Sequence, residues 1–188
     1  LQEGVDRYWR MYHRLGVGNR QKPKRVLFLV PYPRDCAPSQ RLKFEQYYAY
    51  FEQQGIEVAV SSFVSPALWR ILYEPGHWFT KGFWTAIGYL RRAWDFLRAG
   101  RFDAVYLHLW AVPFGPPWFE EWVARRNIPI IYDIDDLIYL PKASRANAFL
   151  ARLRKKEATI ARIMRVATHV IVCTQHLERF ARQHNPAI

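Results

Sequence analysis

The hydrophobic pattern divides the chain into short apolar runs separated by stretches of helical periodicity. The runs are Arg25–Tyr32 (RVLFLVPY), Ile56–Phe63 (IEVAVSSF), Phe102–Trp110 (FDAVYLHLW), Ile128–Ile134 (IPIIYDI) and His169–Thr174 (HVIVCT). Most are nearly continuous in apolar and β-branched residues, the pattern of strands covered on both faces in a parallel sheet. Between them, Ser39–Gln54 reads as a helix with Gly55 just past its end as a C-cap. Pro117–Arg126 reads as a short helix, Ser144–Ala167 as a long one and Gln175–Gln183 as another. Alternation of strand and helix predicts a doubly wound, Rossmann-like α/β domain with a mostly parallel sheet and right-handed crossovers. The connection from Val64 to Arg101 is too long for a plain crossover and is expected to hold extra helices near Ala67–Tyr73 and Lys81–Arg98. Residues 1–24 read as a basic, aromatic helix (VDRYWRMYHRL) and a linker, so that the domain proper occupies 25–188.

With 188 residues, 51% of them hydrophobic, the chain can build one domain with a substantial core. Its 28 Lys and Arg against 16 Asp and Glu give a net charge of +12, which favours anionic partners: nucleic acid, phosphorylated substrates or acidic lipid. Cys36 and Cys173 are too few and too far apart for a disulfide framework or a zinc site, so a reducing, cytoplasmic location is expected. No signal peptide or membrane-spanning run is visible; the longest uncharged run, Ala104–Phe119 apart from its histidine, is broken by prolines. The chain begins at Leu1 rather than Met and is read as processed or engineered at that end.

In doubly wound sheets, ligands bind beyond the carboxyl ends of the strands, and three segments converge there. The loop Pro31–Arg41 (PYPRDCAPSQR) has no GxGxxG, so a dinucleotide fingerprint is absent. Ser39 is expected to N-cap the following helix, and with Arg34 and Arg41 it could form a diphosphate site; solvated arginines on an ordinary loop are the alternative. His108 falls near the end of the third strand, as a site residue or a satisfied core histidine, and Trp110 could line a sugar-stacking wall or simply pack. Asp133, Asp135 and Asp136 crowd the end of the fourth strand, where carboxylates are costly unless paired or used. Such a cluster suits proton abstraction, sugar-hydroxyl binding or a metal; an Asp cap with ion pairs to the many arginines is the alternative. Glu157 falls on the apolar stripe of its helix and is expected to be partly buried with a partner.

These pieces together resemble the N-terminal half of GT-B glycosyltransferases, most closely the retaining family 4. The resemblance rests on the first strand with its polar loop and helix, the LH near the end of a later strand, IPIIYDIDDL next, and the closing THVIVCTQHLERFARQ. It spans about Lys24 to Ile188. In that family the fourth strand often ends in a pattern like YDxHD; Asp133 and Asp136 keep the flanking acids and Asp135 stands where a His is common. The resemblance implies an acceptor-side domain that works with a nucleotide-sugar donor and a glycan or lipid-linked acceptor. It makes His108, Asp133, Asp135 and Asp136 the candidate catalytic residues, and Arg34, Ser39, Arg41 and Trp110 the candidate substrate contacts. No metal or other cofactor is assigned. The Gly-Gly usual in the first loop is missing, which puts its donor-phosphate role in doubt. The chain ends at HNPAI, where the family enters the strand leading to a second, donor-binding domain with paired glutamates; the chain alone is therefore expected to be inactive.

Two other classes compete. The charge would suit a basic nucleic-acid-binding α/β domain, but no RNA-binding motif or repeated aromatic–basic platform appears, so nucleic acid is not assigned as a partner. A Mg-dependent phosphoryl-transfer domain would place its acids after the first strand, not the fourth. Finally, the segment from Ser65 to Gly100 interleaves aromatics with cations, which suits attachment to an anionic membrane surface at its inner face. Trp78, Trp84, Arg91 and Arg92 are the expected contacts; packing of the aromatics on the sheet is the alternative.

Overall fold

In the computed structural model, which describes residues 25–135 and 157–188, the apolar runs become a five-stranded sheet, all parallel, in the order β2-β1-β3-β4-β5. The strands are β1 Arg25–Val30, β2 Glu57–Ser62, β3 Ala104–His108, β4 Ile130–Ile134 and β5 His169–Val172. Each is trimmed at one or both ends relative to its apolar run. The helices are α1 Pro38–Lys43, α2 Tyr48–Gln53, α3 Pro66–Ile71, α4 Trp78–Arg98, α5 Trp118–Arg125, α6 Glu157–Val166 and α7 Gln175–Arg182. The N-terminal helix expected before residue 25, the first part of the helix expected from Ser144, and Asp136 lie outside the described residues.

β1, β3 and β4 are buried on both faces, which explains their unbroken apolar sequences. One face packs Leu27, Leu29, Leu107, Tyr132 and Ile134 against Ile160, Ile163 and Met164 of α6. The other packs Phe28, Val30, Tyr106 and Ile131 against Phe44, Tyr48 and Phe51. The connections from β1 and β3 leave to opposite faces, so a crevice opens between their carboxyl ends.

The helix expected over Ser39–Gln54 is broken. At Phe44 the backbone leaves helical geometry (φ −141°, ψ −29°), and a 3₁₀ turn, Glu45–Tyr47, leads into α2. The break drives Phe44 into the core, where its ring meets Phe28, Tyr48, Tyr106 and His108. Gly55 closes α2 as expected, at φ +77°, with its N–H bonded to the Glu52 carbonyl. Glu157 is exposed at the start of α6, not buried on its stripe, because the buried positions begin at Ile160.

α4 crosses over Phe63, and Gly88 makes the approach possible. A Cβ at Gly88 would lie 2.9 Å from both the Phe63 ring and its carbonyl oxygen, whereas nothing lies within 4 Å of one at Gly82. Gly88→Ala is therefore expected to cost about 1–3 kcal/mol by overpacking, despite alanine's better helix propensity. Gly82→Ala should gain about 0.5–1 kcal/mol in the same helix. Thermal denaturation of the pair checks this; similar shifts for both would mean that Phe63 does not seat on Gly88.

Candidate functional site

The β3–β4 register sets His108 beside Asp133 at the carboxyl edge. Both side chains are wholly buried. His108 Nδ1 lies 3.0 Å from Asp133 Oδ2, and the Tyr106 hydroxyl donates to the same oxygen at 2.8 Å. From α1, Lys43 donates to Asp133 Oδ1, and its ammonium also stands 3.9 Å from Asp135. Burial alone would raise the Asp133 carboxyl. The hydrogen bond and charge of His108, with those of Lys43, outweigh burial and hold it below the usual carboxylate value. Asp133 is thus an ionised, saturated hub rather than a surface acid. The groups that reach the crevice are Lys43 and Asp135, each just under one-fifth exposed.

His108 presents the opposite situation at its other nitrogen. Nε2 is buried and has no hydrogen-bond partner among the described residues. Such an atom is costly unless a group arriving from outside meets it. Directly after His108 the chain takes a strained course. Leu109 has φ +58°, and the Trp110 N–H bonds back to the His108 carbonyl at 2.7 Å, closing a three-residue turn. The Leu109 N–H to the Asp133 carbonyl and the Tyr132 hydroxyl to the Leu109 carbonyl lock that turn. Held strain of this kind, about 1–3 kcal/mol, concentrates at ligand sites.

The first loop is equally fixed. Buried Gln40 accepts from the Tyr32 N–H and donates to the Tyr32 carbonyl and to Glu45, while Glu45 accepts from the Asp35 N–H. Asp35 sits at φ +64°, which this bond helps hold. The expected Ser39 cap is not formed: Ala37 occupies the cap position and offers no side-chain acceptor, with Pro38 at the start of the helix. Ser39 instead lies one turn before Lys43, on the same side of α1. Arg34 is exposed, near Asp35 and over the Tyr48 ring, and Arg41 is exposed with no ion pair among the described residues. Trp110 is part-buried and packs edge-on against Phe63.

The residues expected at a membrane divide sharply. Arg92 is buried, not presented outward, a correction explained by its partners. It donates to the carbonyls of Val30, Ser61 and Ala111 and pairs with buried Asp95, which Arg98 also holds. Arg91 is half-buried on the Ser62 carbonyl, and Trp84 packs in the cluster around Phe63 and Leu68. Trp78 alone of the four is largely exposed. The sequence reading missed Lys43, Tyr106, Gln40 and Glu45. Lys43 had one usable signal, its place on the first helix after β1, one turn beyond Ser39.

A parallel sheet of this order, with a charged crevice at its switch point, defines a doubly wound, Rossmann-like α/β domain. The sequence profile of the Glycosyl transferase 4-like domain matches residues 25–187, and the chain belongs to that family. No curated relative matches the chain. Membership makes this a glycosyltransferase domain, whose partners in general terms are a sugar donor and an acceptor.

Proposed function

We propose that the domain is the acceptor side of a retaining glycosyltransferase that takes a sugar from a nucleotide-sugar donor and passes it to a glycan or lipid-linked acceptor. The observation that carries this reading is the unpartnered His108 Nε2 above an ionised Asp133 at the switch-point crevice. In this reading an acceptor hydroxyl or a donor oxygen meets Nε2. Asp133 holds His108 through Nδ1 and so leaves Nε2 as the ring atom available to an incoming oxygen. Lys43, steadied by Asp133, offers a cation to developing negative charge or to phosphate. Ser39 and Asp135 flank it as sugar-hydroxyl contacts, and Arg34 and Arg41 supply positive potential at the crevice mouth. Asp133 itself is a positioning residue. The setting that fits a lipid-linked acceptor is the inner face of a membrane, with the protein attached peripherally.

The test is transfer of labelled sugar from a panel of nucleotide sugars by the native gene product, with lipid and glycan extracts as acceptors. Label appearing in one acceptor class supports the reading. Transfer of labelled phosphate from a nucleoside triphosphate, with no sugar transfer, would replace it by the phosphoryl-transfer alternative.

A further inference from the structure

α4 is built inside out. Its inward face carries Gly88, Arg92 and Asp95, all buried. Its outward face carries Phe79, Phe83, Leu90, Trp94 and Leu97, which are 58% to 96% exposed. At about 100° per residue these five fall within about 60° of arc, opposite the buried charges. The stripe runs nearly the whole 21-residue helix, about 30 Å. Trp78, also exposed, flanks it under Lys81. Among the described residues no helix is long and apolar enough to cross a membrane.

The charge around the stripe indicates its occupant. Asp95 is the sole acid of the helix, and it is buried and paired to Arg92 and Arg98. Nothing anionic therefore faces outward from α4, in a chain of net charge +12. Of the positions bordering the stripe, Thr80, Gly82, Ile87, Tyr89 and Phe96 are uncharged, and the charge that does stand there is cationic: Arg98, at the azimuth of Thr80, with Arg91 just beyond it. Helices that pair in water place ionic residues of both signs at such borders. A helix that lies in a lipid interface presents instead a wide aromatic and aliphatic face with cations at its rim.

We propose that the outer face of α4 is a lipid-contact surface that seats this domain in the headgroup region of an anionic bilayer. The helix is a rigid foot rather than a free tether. Arg92 ties its middle to the carboxyl-edge carbonyls of Val30 and Ser61 and to Ala111 of the loop after β3, and Tyr89 ties it to Phe114. A bilayer under α4 would therefore lie beside the edge that carries His108 and Lys43. The benefit of that placement to a lipid-linked acceptor rests on the sugar-transfer reading; the binding itself does not.

Co-sedimentation of the 188-residue chain with vesicles of phosphatidylcholine, alone or with about one-third phosphatidylglycerol, tests the assignment. Binding is expected to the anionic vesicles, weakened by salt at about 0.5 M. Phe83→Ser with Leu90→Ser should weaken partitioning about tenfold or more, with unchanged far-ultraviolet circular dichroism. Leu42→Ser, which removes an exposed leucine from a different helix, should leave it unchanged. Equal binding by the parent and the Phe83/Leu90 variant would overturn the proposal. So would absence of binding to the anionic vesicles at low salt; a dimer seen by analytical ultracentrifugation that the same variant dissolves would then show that the face joins two copies of the chain. No sugar substrate enters this assay, so failure here leaves the transfer reading standing, and failure of the transfer assay leaves the lipid contact standing.

Discussion

Arg92→Met is expected to destabilise the domain by about 3–5 kcal/mol, a fall in Tm of about 10 °C or more. The guanidinium is almost completely buried, and burial draws its pKa down to about 10 against the pull of Asp95. It remains charged at neutral pH because all three of its nitrogens donate, to three backbone carbonyls, the Ser61 hydroxyl and the Asp95 carboxylate. Methionine fills much of the space but strands Asp95 with Arg98 and Ser61 as its remaining partners. Arg92→Lys should recover only part of the loss, because one ammonium cannot span carbonyls on β1, β2 and the loop after β3. Thermal and denaturant unfolding read the effect. A loss under about 1 kcal/mol for Arg92→Met would show the pair to be a surface-like contact.

Asp133→Asn should reduce turnover of the native gene product about a hundredfold. The amide cannot match the carboxylate as an acceptor for His108, Tyr106 and Lys43 together. It frees Lys43 to swing into solvent and loosens the hold on His108 Nδ1. Stability should also fall, by about 1–3 kcal/mol, since a buried acceptor set is disturbed. The two effects separate by assay well below the variant's Tm. There the loss should appear in kcat and in the pH profile, which a merely structural residue would not move once the protein is folded. Full turnover at that temperature would make Asp133 a core residue only.

The sheet was legible because β1, β3 and β4 are buried on both faces, so their apolar runs stand unbroken. His108 and the Asp cluster were legible as chemistry at strand ends, but their pairing was not, since it depends on the β3–β4 register. Lys43 was hidden among 28 Lys and Arg, and only the break at Phe44 explains why α1 ends where its ammonium meets Asp133. The strained turn at Leu109 had no signal, because neither glycine nor asparagine marks it. α4 misled the reading of individual residues for a different reason. The expectation that arginines face water holds on most helices, and here Arg92 instead satisfies the Val30 and Ser61 carbonyls at the sheet edge.

The most direct test of the proposed site is a crystal structure of the native gene product with the acceptor that the transfer assay identifies. The account predicts an acceptor or donor oxygen within hydrogen-bond distance of His108 Nε2, with Lys43 still paired to Asp133 and the Leu109 turn retained. An acceptor bound away from the β1–β3 crevice, with Nε2 still unpartnered, would contradict it.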